Sequence, residues 1–298
     1  MPGRVCRVEH PGIKLPASRS QLARLGERLA RDEERSGDLD LYEETLDAYD
    51  QAQVFVKEIL DNTDWSAAVG GLAVTGRTKS IDTLLQKLQR TPGLRLPYIH
   101  DIAGVRVVAD FTLTTQGVFA RGLCGSFDVE DKLIDRIRSP QSGYRALHLV
   151  TFVSGIPVEI QLRTRLQSLW ADVFERLADS VGRQIRYGEP PDHDADDDAD
   201  KTVEIVEGLE LLSTGVIAEV EKLDDQLAPL RPLLEQERLG PLLEAVDFED
   251  AGIPPGTDVL AWVADLELRA REAKEELERQ LLRVAEVLQR PSAEGEGA

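Results

Sequence analysis

Cysteine is scarce in this sequence. Its 298 residues include two cysteines, Cys6 and Cys124, which are too few and too far apart for a disulfide framework or a cysteine-based metal motif. Long apolar runs are absent as well: no stretch approaches the roughly 20 apolar residues that span a membrane, and the N-terminus has no apolar signal-peptide core. These absences predict a cytoplasmic protein that has no membrane partner.

Positive charge is also in short supply. Lys and Arg number 35 against 55 Asp and Glu, so the formal net charge is −20, and this argues against general binding to nucleic acids or acidic membranes, which needs cations. Residues 71–170 are the exception, because 13 Lys or Arg and 8 Asp or Glu give them a net charge of +5, which leaves −25 for the rest. A confined basic segment predicts an anionic ligand such as a nucleotide in a cleft. Uneven surface charge is the alternative.

Segments with helical and with strand patterns alternate along the chain. Apolar residues at helical spacing predict helices over residues 21–35, 41–62, 79–90, 116–123 and 165–178. Runs rich in β-branched residues predict strands over residues 102–109, 145–153 and 157–163, the last two joined in a hairpin. We therefore expect an α+β fold in which helices flank a central mixed sheet.

An acidic stretch at residues 189–201 divides the sequence. Its like charges repel and it has no large apolar residue, which predicts a solvated linker, and it lacks the glycine and closing Glu of an EF-hand calcium loop. We expect an N-terminal helical segment at 1–65, a central domain at 66–188, and a C-terminal helical region at 202–298. That region would contain helices over 203–223 and 259–289 and a disordered tail, and would pack against the central domain or a second subunit.

Residues 158–163 alternate strictly between apolar and polar side chains. In a strand this pattern places Glu159, Gln161 and Arg163 together on the face opposite the core. A charged row on a sheet in the middle of a domain indicates a ligand site, although an ordinary solvent-facing sheet surface gives the same pattern.

Asp101 and Arg106 lie at the beginning and in the body of the strand predicted over residues 102–109. Positions five apart face opposite sides of a straight strand, so both can serve one site only if Asp101 precedes the regular strand or a bulge occurs near Gly104. A buried structural ion pair is the alternative for Arg106.

Residues 75–79 lie where a strand-like run meets a helix. Backbone N–H groups, the positive end of the helix, Arg77 and Lys79 could converge there on a phosphate chain. The glycine-rich P-loop pattern is absent. Lys87 and Arg90, one turn apart near the helix end, could also reach phosphates, or could be plain solubilising charges.

Residues 135–148 combine a basic loop with a glycine and an aromatic residue that enters a strand. Tyr144, Ala146 and His148 would share one face of that strand, so Tyr144 could offer its ring to a purine while His148 forms a hydrogen bond nearby. A tyrosine at the edge of the core is the alternative.

Four motifs in this order resemble the synthetase domain of the RelA/SpoT family. They are Gly76-Arg-Thr-Lys-Ser-Ile with Lys87 and Arg90, Asp101-Ile-Ala-Gly-Val-Arg106, Ser142-Gly-Tyr-Arg-Ala-Leu-His148, and Val158-Glu-Ile-Gln-Leu-Arg-Thr-Arg-Leu-Gln-x-x-Trp-Ala171. The resemblance implies a nucleotidyltransferase-like α+β core that makes the alarmone (p)ppGpp from ATP and GDP or GTP.

The resemblance also implies roles for particular residues. Asp101 and Glu159 would hold Mg²⁺, and Glu159 would take the proton from the 3′-hydroxyl of the acceptor. The implied ATP ligands are Arg77, Lys79, Lys87, Arg90 and Arg106. Tyr144 would stack on guanine, and the implied ligands of the acceptor nucleotide are Arg136, Arg138, Arg145, His148, Gln161 and Arg163.

Two features of the sequence bear on the kind of family member. His10 is the single histidine before the first motif, too little for the His/Asp metal site of alarmone hydrolysis, so we expect a synthesis-only member that forms a homo-oligomer through its C-terminal helices. The family commonly has Pro-Lys and two further residues before Gly-Tyr, whereas this chain has Pro140, Gln141 and Ser142 before Gly143. Because of that difference, a second hypothesis is a toxin-type relative that pyrophosphorylates adenosine nucleotides or the tRNA 3′ end. A third hypothesis is a non-catalytic nucleotide sensor.

Overall fold

The computed structural model describes residues 12–66, 69–79, 81–91, 93–127, 133–191, 199–235 and 258–289. The chain divides into two compact units. The first contains the residues up to Phe111 together with Thr115–Arg138 and Ala146–Arg163, and the second contains Thr112–Thr114, Ser139–Arg145 and the residues from Thr164 onward.

A five-stranded mixed sheet is the centre of the first unit. In chain order its strands are β1 (Ala73–Thr78), β2 (Ala103–Ala109), β3 (Ile134–Asp135), β4 (Leu147–Val153) and β5 (Ile156–Thr164). The spatial order is β1-β2-β5-β4-β3, with β1 antiparallel to β2, and β4 antiparallel to both β3 and β5. The hairpin between β4 and β5 turns at Ser154 and Gly155, which both adopt positive φ.

The helices of the first unit bury their apolar faces with the sheet in one core. They are α1 (Arg19–Ala30), α2 (Asp38–Asn62), α3 (Ile81–Arg90) and α4 (Leu113–Phe127). Alternate residues of β2 are buried, and Val158, Ile160 and Leu162 of β5 are fully buried in the same core. Glu159 and Gln161 of β5 and the intervening side chains of β2 are less buried and lie on the opposite face of the sheet, where Arg163 is fully buried.

The second unit is helical. Its elements are α5 (Arg165–Val181), α6 (Ala199–Leu211), a π-helical turn (Leu212–Ile217), α7 (Ala218–Leu227), α8 (Arg231–Glu235) and α9 (Val259–Val287). Trp170 and Phe174 of α5 stack with ring centroids 4.8 Å apart inside a core that includes Val206 of α6 and Leu281 of α9. Across the described residues, no helix has the length and apolar character that crossing a membrane requires.

The structure confirms the predicted α+β class, the flanking helices and the helical ends of the chain. Element boundaries differ for local reasons. Helix α1 ends at Ala30 rather than at residue 35, because Asp32 adopts a positive φ, and α2 begins at Asp38, directly after the left-handed Gly37. Residues 192–198 of the expected linker and the expected disordered tail, residues 292–298, lie outside the described part of the chain.

One boundary changes the expected site. Strand β4 begins at Leu147 instead of residue 145, because residues Gln141 and Tyr144 exchange backbone hydrogen bonds in a tight turn. The prediction that Tyr144 shares a strand face with His148 was therefore wrong. Tyr144 belongs to the second unit and His148 to the first.

Candidate active site

A chain of hydrogen bonds follows the polar side chains of β5 and extends to β4. The Glu159 carboxylate accepts from Gln161 Nε2 at 2.8 Å through Oε2, and its Oε1 lies 2.9 Å from His148 Nδ1. Gln161 Oε1 accepts from Arg163 Nη2 at 2.9 Å. His148 lies directly opposite Gln161 in the β4–β5 register. The predicted row of Glu159, Gln161 and Arg163 on one sheet face is thus present.

Asp101 lies before the first residue of β2, Ala103, as its use in a common site requires. Its carboxylate accepts from Lys87 Nζ of α3 at 2.7 Å to each oxygen, and its Oδ2 lies 3.1 Å from Lys79 Nζ. The backbone N–H of Lys79 donates to the carbonyl of Ile102 at 2.9 Å, which fixes the end of β1 beside Asp101. Two lysines from different elements therefore converge on one carboxylate.

The pKa values of Asp101 and Glu159 are both lowered by the polar groups around them. Burial raises the pKa of Asp101, but the charges and hydrogen bonds of Lys79 and Lys87 outweigh it and hold that pKa below its ordinary value. Burial likewise raises the pKa of Glu159, yet the contacts with His148 and Gln161 give a net lowering, and the negative charge of Asp101 opposes them. Both carboxylates therefore favour the ionised form at neutral pH.

Arg77 of β1 and Arg106 of β2 lie on one face of this strand pair. Arg77 lies opposite Gly104, and Thr75 lies opposite Arg106, so the two arginine side chains project from one side of the ladder. A Cβ added at Gly104 would lie 4.0 Å from the carbonyl oxygen of Glu159, which indicates how closely β2 approaches β5. Arg77 is exposed and Arg106 is half-buried.

Helix α2 supports the strand that carries Arg77 and Lys79. The Thr78 hydroxyl donates to Asp50 Oδ1 at 2.7 Å, and the buried Gln53 side chain fills the space where a Cβ on Gly76 would sit. Sequence reasoning missed both contacts, because they join positions more than twenty residues apart and Asp50 and Gln53 carry no local motif.

The basic loop after β3 is shaped by Asp135. Its Oδ1 accepts from the backbone N–H groups of Ile137 and Arg138 at 2.9 Å each, and the backbone N–H of Arg136 donates to the Ala146 carbonyl at 3.0 Å. The Arg138 side chain is 89% exposed. Arg138 therefore extends into solvent, and Arg136 is half-buried at the same loop.

Tyr144 belongs to the second unit, where it lines a cavity. Ser142 and Gly143 have φ of 46° and 74°, which is typical of a type I′ turn between Gln141 and Tyr144. The cavity, of about 110 Å³, is lined by Gln141, Ser142, Tyr144, Trp170, Ala171, Phe174, Glu175 and Arg186. The aromatic side chains of its lining suit a planar apolar group.

Arg145 is buried in the second unit, with 3% of its side chain exposed. Its Nη2 donates to Glu221 Oε2 of α7 at 2.5 Å, and its Nη1 donates to the Ser213 carbonyl of the π turn at 2.9 Å. These partners indicate a structural role for its guanidinium. Its expected contact with a nucleotide stays a prediction.

Asp101 and Glu159 suit a hard divalent cation. Ionised carboxylates supply the oxygen ligands that Mg²⁺ prefers, and Mg²⁺ commonly completes its shell with waters and substrate phosphates. Within the described ranges there is no group of three or more His, Cys, Asp or Glu side chains that could hold a metal ion by itself.

The sequence of this region matches a known family. Residues 76–178 match the family described as a region found in RelA / SpoT proteins, which confirms the resemblance expected from the motifs. Proteins of Mycobacterium tuberculosis and Mycobacterium bovis, both named as uncharacterized, are 42% identical over 178 residues, or 59% of this chain and 64% of theirs. The GTP pyrophosphokinase YwaC of Bacillus subtilis is 31% identical over 128 residues, or 37% of this chain and 60% of that protein. The chain thus spans less than two thirds of the length of these curated relatives.

Solved structures show partial similarity. Small alarmone synthetase 1 from Bacillus subtilis, bound to its product pppGpp, is 24% identical with a TM-score of 0.45, covering 63% of this chain and 99% of that chain. A GTP pyrophosphokinase family protein from Streptococcus pneumoniae is 25% identical with a TM-score of 0.43, covering 66% of this chain and 97% of that chain.

Proposed function

We propose that this protein is a (p)ppGpp synthetase, which transfers pyrophosphate from ATP to the ribose 3′-hydroxyl of GDP or GTP and releases AMP. The observation that carries the proposal is the pair of ionised carboxylates, Asp101 and Glu159, together with Lys79 and Lys87 at the first of them. Two anionic nucleotides react only where fixed cations offset their charge. The match to the RelA/SpoT region and the 31% identity to a GTP pyrophosphokinase support the same reaction.

The cations of β1, β2 and α3 would bind ATP. Lys79 and Lys87 neutralise Asp101 in the free protein, and their flexible stems allow both ammonium groups to turn toward phosphate oxygens when ATP is present. The arginines add planar donors that bind phosphate in a bidentate manner. The proposed ATP ligands are Arg77, Lys79, Lys87, Arg90 and Arg106.

The hydrogen-bonded row of β4 and β5 would bind the acceptor. His148 and Gln161 already contact Glu159, so an acceptor bound to either side chain would have its hydroxyl near that carboxylate. The proposed acceptor ligands are Arg136, Arg138, Tyr144, His148, Gln161 and Arg163. The stacking of Tyr144 on guanine rests on the family resemblance and on the aromatic cavity that this tyrosine lines.

Asp101 and Glu159 would hold Mg²⁺. The bound cation would neutralise charge on the phosphates of the donor nucleotide. Release of Asp101 from Lys79 and Lys87 would accompany its binding, because the same carboxylate oxygens serve the lysines in the free protein.

The proposed transfer is a single displacement at phosphorus. The acceptor 3′-oxygen bonds to the β-phosphorus of ATP while the bond from that phosphorus to the oxygen it shares with the α-phosphorus breaks, and the electron pair of that bond leaves on AMP. The hydroxyl proton passes to Glu159 and then to solvent. Because its pKa is lowered, Glu159 is a weak base, so we expect the proton to move late, as the new bond forms.

A labelled-nucleotide assay tests this proposal. Purified protein incubated with γ-labelled ATP, Mg²⁺ and GDP or GTP should give a labelled guanosine product and an equal amount of AMP. Absence of product from every guanosine nucleotide would contradict the proposal.

Glu159→Gln tests the assignment of the base. The substitution should lower turnover by about 10²- to 10⁴-fold and leave ATP binding largely intact, because the proton acceptor is lost while the cations remain. Glu43→Gln, at an exposed position of α2, removes the same charge elsewhere and should retain full activity. Full activity in Glu159→Gln would remove Glu159 from the mechanism.

The same assay separates the two other functions. Label transferred to adenosine nucleotides or to the tRNA 3′ end would identify a toxin-type relative, for which Gln141 in the acceptor segment is the motivating difference. Nucleotide binding without AMP release would identify a sensor.

We further propose a cytoplasmic homo-oligomer assembled through the C-terminal helices. Several large apolar side chains of α9, including Trp262 and Leu268, are about half exposed. Size-exclusion chromatography with light scattering should give a mass of two or more chains of 33.0 kDa each. A monomer at micromolar concentration would contradict it.

A further inference from the structure

Residues Ser139–Arg145, which we call the acceptor loop, contact the helices that follow α5. A Cβ added at Gly143 would lie 2.9 Å from the Cα of Glu210 in α6, so the loop backbone lies directly against that helix. Two residues further on, Arg145 binds the π turn and α7. Tyr144 therefore lies between Gly143, which packs against α6, and Arg145, which binds the π turn and α7.

Glu221 of α7 is the hub of these contacts. Its buried carboxylate accepts from Arg145 Nη2, from the hydroxyl of Thr164 and, at 3.4 Å, from Gln167 Nε2. Thr164 is also the N-cap of α5, where it accepts from the backbone N–H of Gln167. One carboxylate thus joins the acceptor loop to the first turn of α5.

The π turn supplies the second contact. The Ser213 carbonyl accepts from Arg145 Nη1 at 2.9 Å, within a helix segment whose hydrogen bonds depart from the α pattern. Such turns are rare, and they often lie at functional sites. The neighbouring Trp170 is fixed in the same way, because its indole N–H donates to the Leu209 carbonyl of α6 at 2.7 Å. Two residues of the cavity lining are thus linked to this region: Trp170 directly through α6, and Tyr144 through its neighbour Arg145.

A purely stabilising role for the Arg145–Glu221 pair is the simpler explanation, and its energetics argue against it. Buried ion pairs contribute little net stability, because desolvation offsets their attraction, and apolar residues of similar volume often serve as well. What a buried guanidinium adds is direction, because its planar donors bind two acceptors, the Ser213 carbonyl and Glu221, only in certain positions. The geometry therefore favours a role in fixing the loop.

We propose that Glu221, acting through Arg145, is a positioning residue for the acceptor nucleotide: the C-terminal helical region holds the acceptor loop in the conformation that presents Tyr144. This inference rests on the proposed function. It gives α6 and α7 a task in substrate binding that is separate from any role in oligomer formation. It also gives the short loop a source of rigidity where Gln141 replaces the usual lysine.

Steady-state kinetics of Glu221→Gln tests the proposal. The isosteric amide keeps the volume but cannot hold the guanidinium charge, so kcat/KM for GDP or GTP should fall by roughly 10- to 100-fold as the loop shifts, with most of the change in KM for the acceptor. KM for ATP should change by less than about twofold, because α6 and α7 hold the acceptor loop and not the lysines of the ATP site. Glu278→Gln is the matched control, because it breaks an ion pair with Arg165 of α5 without touching the acceptor loop, and it should leave both KM values unchanged.

A double variant separates positioning from stability. Arg145→Met combined with Glu221→Leu replaces the ion pair by an apolar pair of similar volume, so its thermal stability should equal or exceed that of Glu221→Gln. Its KM for the acceptor should nonetheless stay high. The proposal would be overturned if the double variant recovered both stability and a wild-type KM for the acceptor. It would also be overturned if Glu221→Gln changed the KM values for ATP and for the acceptor equally.

Hydrogen–deuterium exchange gives a readout that does not depend on activity. Glu221→Gln should speed amide exchange in residues 139–145, whereas Glu278→Gln should not. Should the wild-type protein make no guanosine product, the proposed function fails, and the exchange data still decide whether Glu221 orders the loop. Unchanged exchange in Glu221→Gln would refute the positioning role.

Discussion

Gly143→Ala should be among the most damaging single-methyl additions in the chain. Gly143 has φ of 74°, a left-handed conformation that costs an L-residue roughly 1–2 kcal/mol. The new Cβ would also lie 2.7 Å from Cζ2 of Trp170 and 2.9 Å from the Cα of Glu210. The second neighbour is backbone and the first belongs to a buried, stacked ring, so neither yields easily, and overpacking of this kind costs about 1–3 kcal/mol. We therefore expect a loss of about 2–5 kcal/mol in the free energy of unfolding.

Urea denaturation followed by tryptophan fluorescence measures this loss. Gly208→Ala is the matched control, because Gly208 lies inside α6 in the same unit and a Cβ there meets no atom within 4 Å. That variant should gain about 0.5–1 kcal/mol, as alanine does over glycine in a helix. A Gly143→Ala protein within about 1 kcal/mol of wild type would refute the reasoning, because it would mean that the turn or the Trp170 ring relaxes at little cost.

Two further predictions concern the first unit. Asp38 accepts from Arg28 and from the backbone N–H of Arg35, and the Arg28 hydrogen bond lowers the pKa of Asp38. The contribution of Asp38 to stability should therefore be complete above about pH 4 and disappear as the pH falls through that lowered pKa. Thermal melts of wild type and Asp38→Asn should accordingly converge in acid and diverge at about pH 5 and above. Gly76→Ala would place a Cβ 1.8 Å from Nε2 of the buried Gln53. Displacing the Gln53 side chain should lower the free energy of unfolding by about 1–3 kcal/mol, as measured by thermal or urea denaturation. An unchanged melt would show that Gln53 moves freely.

Local patterns predicted the parts of the site that depend on one element. The alternation around Glu159 was sufficient, because a period of two decides which side chains share a face whatever the rest of the fold does. Asp101 lies before β2, which is one of the two arrangements that its five-residue spacing from Arg106 left open, the other being a bulge near Gly104. Features set by the strand period are thus readable from sequence alone.

Contacts between distant elements were not readable in this way. Arg145 and Glu221 are 76 positions apart, and nothing local distinguishes Glu221 from the other acidic residues of a helix in a chain with 55 of them. Arg145 was therefore grouped with the ligands of the acceptor, whereas the structure shows its guanidinium buried. The turn before it had a local signal, because Ser142-Gly143 is a pair typical of turns.

The two lysines at Asp101 lead to a prediction about substrate binding. In the free protein Asp101 competes with any phosphate for Lys79 and Lys87, so Asp101→Asn should free both ammonium groups. Partly exposed ion pairs are each worth about 0.2–1 kcal/mol, so metal-free ATP should bind about 2- to 30-fold more tightly to the variant. Calorimetric titration with ATP in EDTA measures this, with Asp61→Asn as a control that breaks the exposed Lys57 pair on α2. The same Asp101→Asn protein should have lost turnover with Mg²⁺, because a carboxylate ligand is gone. Weaker metal-free binding in Asp101→Asn would mean that Asp101 orients the lysines toward the phosphates instead of withholding them.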